Sequence, residues 1–222
     1  KAKYGKDKEK DRLISPEMML EILEFALSSN RVDYLELGAA LLLQSFCGVR
    51  KTEITRMRRE DLLGLETIEE EEDSDFPSTY RREKPLRISI KKIEAKWGHH
   101  RTFHAPENVV TWLRYFTANG WRKKGPFFTK QGSEEPLSDE GLDTRFGRFM
   151  NAFKADCEAN EMEFPSYEQN GFRVSCASYG GKHFGVRKIC EMMGERREAT
   201  FWRHYREDCD ESAARKYFGL IP

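Results

Sequence analysis

Apolar residues recur along this chain with helical spacing, except between residues 87 and 104, where they alternate. A helix face repeats every three to four residues and a strand face every second one, so this change of period limits the fold most. Ser15-Pro16-Glu17 reads as a helix start, with a hydroxyl cap, proline in the first turn and an acid behind it. Met18, Met19, Ile22, Leu23, Ala26 and Leu27 then share a face. Asp33 is expected to cap a second helix that runs through Leu35, Leu37, Ala40, Leu41 and Leu43 to Phe46 and is broken by Gly48. Thr52 to Arg59 reads as a short third helix. Arg87-Ile88-Ser89-Ile90 and Arg101-Thr102-Phe103-His104 read as half-buried strands joined through Ala95 to His100. Pro106 opens a helix carrying Val109, Val110, Leu113 and Phe116. Asp139 to about Asn160 forms another, with Leu142, Phe146, Phe149, Met150 and Phe153 on one side. Three or four short helices follow Pro165. The expected fold is mainly α with a small antiparallel β-sheet (α+β), the sheet inserted after the third helix, with no internal repeat.

At 222 residues the chain is long enough for a real core, and 15 Phe and 4 Trp argue against disorder. The longest apolar stretch, about Gly38 to Leu43, is too short to span a bilayer, and the Lys-rich start is no secretory signal, so no membrane role is expected. Five scattered cysteines, Cys47, Cys157, Cys176, Cys190 and Cys209, fit neither a disulfide framework nor zinc spacing; they read as reduced thiols of a cytoplasmic protein. Cys176 and Cys190 fall on apolar helical faces and read as core. His99, His100 and His104 have no carboxylate or cysteine at ligand spacing, so no metal is expected there. A missing initiator Met marks an expected fragment, with residues 1–13 as a linker and 14–222 as the domain.

The 38 basic and 38 acidic residues cancel overall but not locally. Residues 66–80 hold seven acids and no base, which reads as a solvated loop. Residues 81–130 hold thirteen bases against three acids, an electrostatic footprint for phosphates. Residues 170–206 add eight bases against three acids.

Four segments stand out. They are Gly48-Val49-Arg50-Lys51-Thr52-Glu53-Ile54; the hairpin lysine Lys96, with Lys91 and Lys92 close by; Asn170-Gly171-Phe172-Arg173; and Met193-Gly194-Glu195 followed by Arg203-His204-Tyr205-Arg206-Glu207. In this order and spacing, with Arg50 to Arg173 at 123 residues and Arg173 to Tyr205 at 32, the chain resembles the catalytic domain of the tyrosine recombinase, or phage integrase, family. The last segment resembles a bacterial subgroup whose histidine boxes are degenerate. Taken singly, Arg50 reads as a surface residue and Tyr205 as part of an amphipathic helix; the ordered set is what carries the resemblance.

The resemblance implies a site-specific recombinase that cleaves and rejoins double-stranded DNA through a 3′-phosphotyrosine, in the bacterial cytoplasm and without metal, ATP or other cofactor. It implies a separate N-terminal DNA-binding domain before the linker. It also implies a homotetramer on paired DNA sites, with residues 208–222 exchanged between protomers and Tyr217, Phe218, Leu220 and Ile221 as their apolar anchor. Arg50 and Arg173 then bind the phosphate oxygens, Tyr205 attacks, and Lys96 protonates the leaving deoxyribose oxygen. An ordinary tyrosine, pKa about 10, is ionised only about one time in a thousand at pH 7, a deficit of about 4 kcal/mol that a base or a strongly positive site must offset.

Several positions depart from the family pattern. Asn170 stands where a histidine is usual, Val174 where another often is, and Glu195 where a phosphate-binding His or Trp belongs. Glu195 is expected to repel a phosphate unless Arg196 or Arg197 points inward or the loop shifts register, and His204 is a candidate substitute imidazole. Two other readings stay open: a catalytically weakened DNA-binding relative of the same fold, and an interaction domain that binds no nucleic acid.

Overall fold

The second helix organises the fold. α1 (Pro16–Ser28) starts as expected, the Ser15 hydroxyl accepting from the Met18 N–H at 3.2 Å. In α2 (Val32–Cys47) every residue from Tyr34 to Cys47 is buried, as befits a helix apolar around most of its circumference. This computed structural model describes residues 13–29, 31–65, 85–91, 100–130, 133–164, 170–205 and 207–222. The Lys-rich start, the acidic run 66–75 and most of the hairpin connection fall outside them.

α2 begins one residue before the expected cap. Asp33 lies in its first turn and holds the Arg31 guanidinium at 3.1 and 2.8 Å. Glu36, only 1% exposed, is the buried acid of this apolar helix. Burial pushes its carboxyl above the ordinary value, and Arg145 at 2.5 Å and Arg122 at 3.2 Å pull against that shift.

Gly48 ends α2 in the left-handed region at φ +60°, its N–H donating to the Gln44 carbonyl at 3.1 Å. A Cβ there would lie 2.4 Å from Met193 Cγ. Gly48→Ala is therefore expected to cost about 2–4 kcal/mol from backbone strain and overpacking together, read as a fall in the urea midpoint.

α3 (Lys51–Ile54) is one turn long, shorter than the expected helix to Arg59. Tertiary bonds capture the chain instead. The Phe127 N–H donates to the Met57 carbonyl at 3.0 Å and the Arg59 N–H to the Gly125 carbonyl at 2.8 Å. The Arg59 guanidinium also sits 4.1 Å from the Trp121 ring centroid.

β1 (Leu62–Leu63), β2 (Arg87–Ile90) and β3 (Arg101–His104) form an antiparallel sheet in that order. Leu62 pairs with Ile88, Ile88 with Phe103, and Ile90 with Arg101. The two alternating segments are thus strands, as expected, and β1 is an addition.

Six further helices follow among the described residues. They are α4 (Glu107–Ala118), α5 (Asp139–Ala159), α6 (Gly171–His183), α7 (Val186–Met193), α8 (Glu198–His204) and α9 (Glu211–Phe218). Phe25, Tyr34, Phe149 and Phe153 join α1, α2 and α5 through ring contacts of 5.0–5.9 Å. Cys176 and Cys190 are buried as expected. Residues 208–222 cover their own chain's core. Tyr217 lies 4.8 Å from Phe46 and 4.4 Å from Tyr179 between ring centroids, and Trp112 Nε1 donates to the Leu220 carbonyl at 3.1 Å. Ile221, expected among the apolar anchors, is 62% exposed. Among the described residues no helix is long and apolar enough to cross a membrane.

Candidate functional site

Arg50 and Arg173 meet on a single oxygen atom. The left-handed turn at Gly48 buries Val49 and leaves Arg50 as the residue that caps α3. The Arg50 N–H donates to Glu53 Oε2 at 2.8 Å, its Nη1 to Glu53 Oε1 at 3.2 Å, and its Nη2 to Glu195 Oε1 at 2.5 Å. Arg173 lies in the first turn of α6 and is 5% exposed. Its Nη2 donates to the same Glu195 Oε1 at 2.8 Å and to the Met193 carbonyl at 3.0 Å, and its Nη1 to the Gly48 carbonyl. Arg173 Nε is buried with no hydrogen-bond partner among the described residues.

A third arginine, read from the sequence only as a strand residue, completes the cluster. Arg101, the first residue of β3, grips Glu53 with Nη1 on Oε1 and Nη2 on Oε2, both at 2.8 Å. Its Nε donates to the Met192 carbonyl at 3.1 Å. Burial alone would raise the Glu53 carboxyl; the Arg101 hydrogen bonds, with Arg50 behind them, outweigh it and hold the group below the ordinary value.

Glu195 is aimed by a second left-handed glycine. Gly194 caps α7 at φ +69°, and the Glu195 N–H donates to the Cys190 carbonyl at 2.9 Å. A Cβ on Gly194 would sit 3.0 Å from Arg101 Nη1, so a side chain there crowds the third arginine. The sequence left two escapes from a repulsive Glu195, an inward arginine or a shifted loop, and the structure takes neither. Glu195 points in and is neutralised by both arginines, while Arg196 and Arg197 are exposed and, among the described residues, in no ion pair. Arg50, Glu53, Arg101, Glu195, Arg196 and Arg197 line one cleft of about 760 Å³. An anion brought within about 4 Å of the Glu195 carboxylate meets a repulsion of about 4 kcal/mol at an effective dielectric constant of 20.

Tyr205 follows directly on α8, its ring centroid 5.1 Å from the Arg173 guanidinium carbon. Ser178 on α6 pins this stretch: its hydroxyl donates to the Tyr205 carbonyl at 3.0 Å and accepts from the Glu207 N–H at 2.9 Å. Among the described residues the Tyr205 hydroxyl makes no hydrogen bond. Asn170, exposed at the start of α6, shares a small cleft of about 120 Å³ with Arg173, Lys51, Gln44 and Val49. His204 is the last residue of α8; its side chain, like the whole of Lys96, lies outside the described residues. Lys91, the neighbouring alternative, is paired with Asp61. Among the described residues no three His, Cys, Asp or Glu side chains gather as metal ligands.

This arrangement holds one anionic oxygen between two guanidiniums, one N–H from each, with the Tyr205 ring beside Arg173. No protein-family model matches the chain, and no curated protein or solved structure is significantly similar to it.

Proposed function

We propose that this chain is the catalytic domain of a DNA strand-transferase of the tyrosine recombinase type, acting through a 3′-phosphotyrosine. The observation that carries this reading is the shared oxygen: Arg50 and Arg173, 123 residues apart, both donate to Glu195 Oε1, with Tyr205 against Arg173. One N–H from each of two guanidiniums converging on one acceptor oxygen suits a non-bridging oxygen of a phosphodiester. In the proposed step the Tyr205 oxygen attacks phosphorus and the bond to the 5′ oxygen breaks. Lys96 delivers a proton to that oxygen, and the tyrosine proton passes to water or to His204. Arg50 and Arg173 neutralise charge gathering on the phosphoryl oxygens. The phosphotyrosine keeps the energy of the broken bond, so rejoining needs neither ATP nor metal. Duplex DNA is the proposed partner, a tetramer on paired sites the proposed assembly and the bacterial cytoplasm the proposed compartment.

A second reading, a catalytically weakened DNA-binding relative, is favoured by the carboxylate that holds both arginines. One experiment separates the two. A random-sequence library of nicked duplexes is incubated with the protein and covalent complexes are isolated on a denaturing gel. The wild type is expected to trap DNA and Tyr205→Phe to trap none, while both bind duplex equally. DNA binding without any wild-type adduct would leave only the second reading.

A further inference from the structure

We infer that the Glu195 carboxylate is a built-in occupant of the anion site, and that a phosphodiester enters by displacing it from the forks of Arg50 and Arg173. The inference rests on the phosphate-binding part of the function proposed above. To a guanidinium, a carboxylate and a phosphodiester are alike: each carries one negative charge and offers oxygens to paired N–H groups. Glu195 Oε1 sits where such an oxygen belongs, 2.5 Å from Arg50 Nη2 and 2.8 Å from Arg173 Nη2.

The charges of the cluster make the two anions alternatives. Arg50, Arg101 and Arg173 face Glu53 and Glu195, a net charge of +1. Exchange of Glu195 for a phosphodiester preserves that balance, whereas entry alongside it sets two anions on the same donors. The two acids are not equally fixed. Glu53 is fully buried and takes hydrogen bonds from Arg101 and from the Arg50 side chain and backbone. Among the described residues the Glu195 side chain is held by the two arginines alone, and it sits in the short turn between α7 and α8. Its release needs only side-chain rotation, and the exposed Arg196 and Arg197 of the same cleft are there to receive it.

The consequence is selectivity. A small anion has to compete with a tethered carboxylate at high effective concentration, whereas duplex DNA brings further phosphate contacts that outweigh it. The arginine pair is thereby kept occupied until a polyanion arrives.

The test uses inorganic phosphate as the probe, titrated calorimetrically into the wild type and Glu195→Gln. Glu195→Gln is expected to bind phosphate about tenfold or more tightly than the wild type. Equal or weaker binding overturns the inference and makes Glu195 a strut for the arginines. Thermal melting checks that the variant folds. If it does not, Glu195→Asp, which withdraws the carboxylate by one methylene, is judged by the same criterion. The covalent-adduct assay reports separately on Tyr205. Tighter phosphate binding by the variant with no adduct from any protein keeps this inference and removes strand transfer. An adduct from the wild type with unchanged phosphate affinity does the reverse.

Discussion

Arg173→Ala is expected to lower covalent DNA joining by about a thousandfold and stability by about 3–5 kcal/mol. The two losses have separate causes. Under the proposed function, joining falls because one of the two guanidiniums assigned to the phosphoryl oxygens is gone. Stability falls because Arg173, 5% exposed, ties together three parts of the chain: the Gly48 carbonyl at the end of α2, the Met193 carbonyl at the end of α7, and Glu195. Its removal strands two carbonyls and half-releases a carboxylate. Arg173→Lys restores the charge without the fork, so it should recover more of the urea midpoint than of the joining rate. Equal recovery of both would reduce Arg173 to a structural role.

Glu53→Ala is expected to cost a similar amount of stability, about 3–5 kcal/mol, because it leaves two arginines facing each other over an emptied site. Among the described residues the Arg101 guanidinium would keep only the Met192 carbonyl, and the Arg50 backbone N–H would lose its acceptor. The position also predicts a pH dependence. Burial raises the Glu53 carboxyl, but the Arg101 and Arg50 interactions win, and the folded-state value lies below that of the unfolded chain. A depressed carboxylate contributes stability above its unfolded value of about 4.3 and loses it as pH falls through the folded one. Glu53→Gln should therefore be less stable than the wild type at neutral pH and flatter in its acid unfolding curve below about pH 4.3. Parallel curves would remove Glu53 from the acid response.

Long-period features were the legible ones. Helical spacing marks the sixteen residues of α2, and two four-residue alternations mark β2 and β3. β1 has two residues, too few to show any period. The helix expected to reach Arg59 stops at Ile54 because the 125–127 segment competes for its backbone, and nothing local announces a partner so far along the chain. Of the ordered set Arg50, Lys96, Arg173 and Tyr205, the fold brings Arg50, Arg173 and Tyr205 together, and Lys96 lies outside the described residues. Arg101 escaped notice because an arginine opening an alternating strand reads as a solvent-facing residue. The signal that could have found it lay elsewhere: Glu53, one turn of helix after Arg50 and beside apolar Ile54, is an acid that burial obliges to find a cation. Glu36 in the apolar α2 posed the same question and is answered by Arg145, 109 residues away. In both cases the sequence declares the need for a partner and leaves its identity to the tertiary fold.

The most direct test of the central claim is to identify the amino acid to which DNA becomes attached. Wild-type protein trapped on nicked duplex is digested with nuclease and protease, and the peptide carrying a residual nucleotide is sequenced by mass spectrometry. The predicted result is a 3′-phosphonucleotide on Tyr205. Attachment at any other residue, or no attachment in a protein that binds DNA, would contradict it.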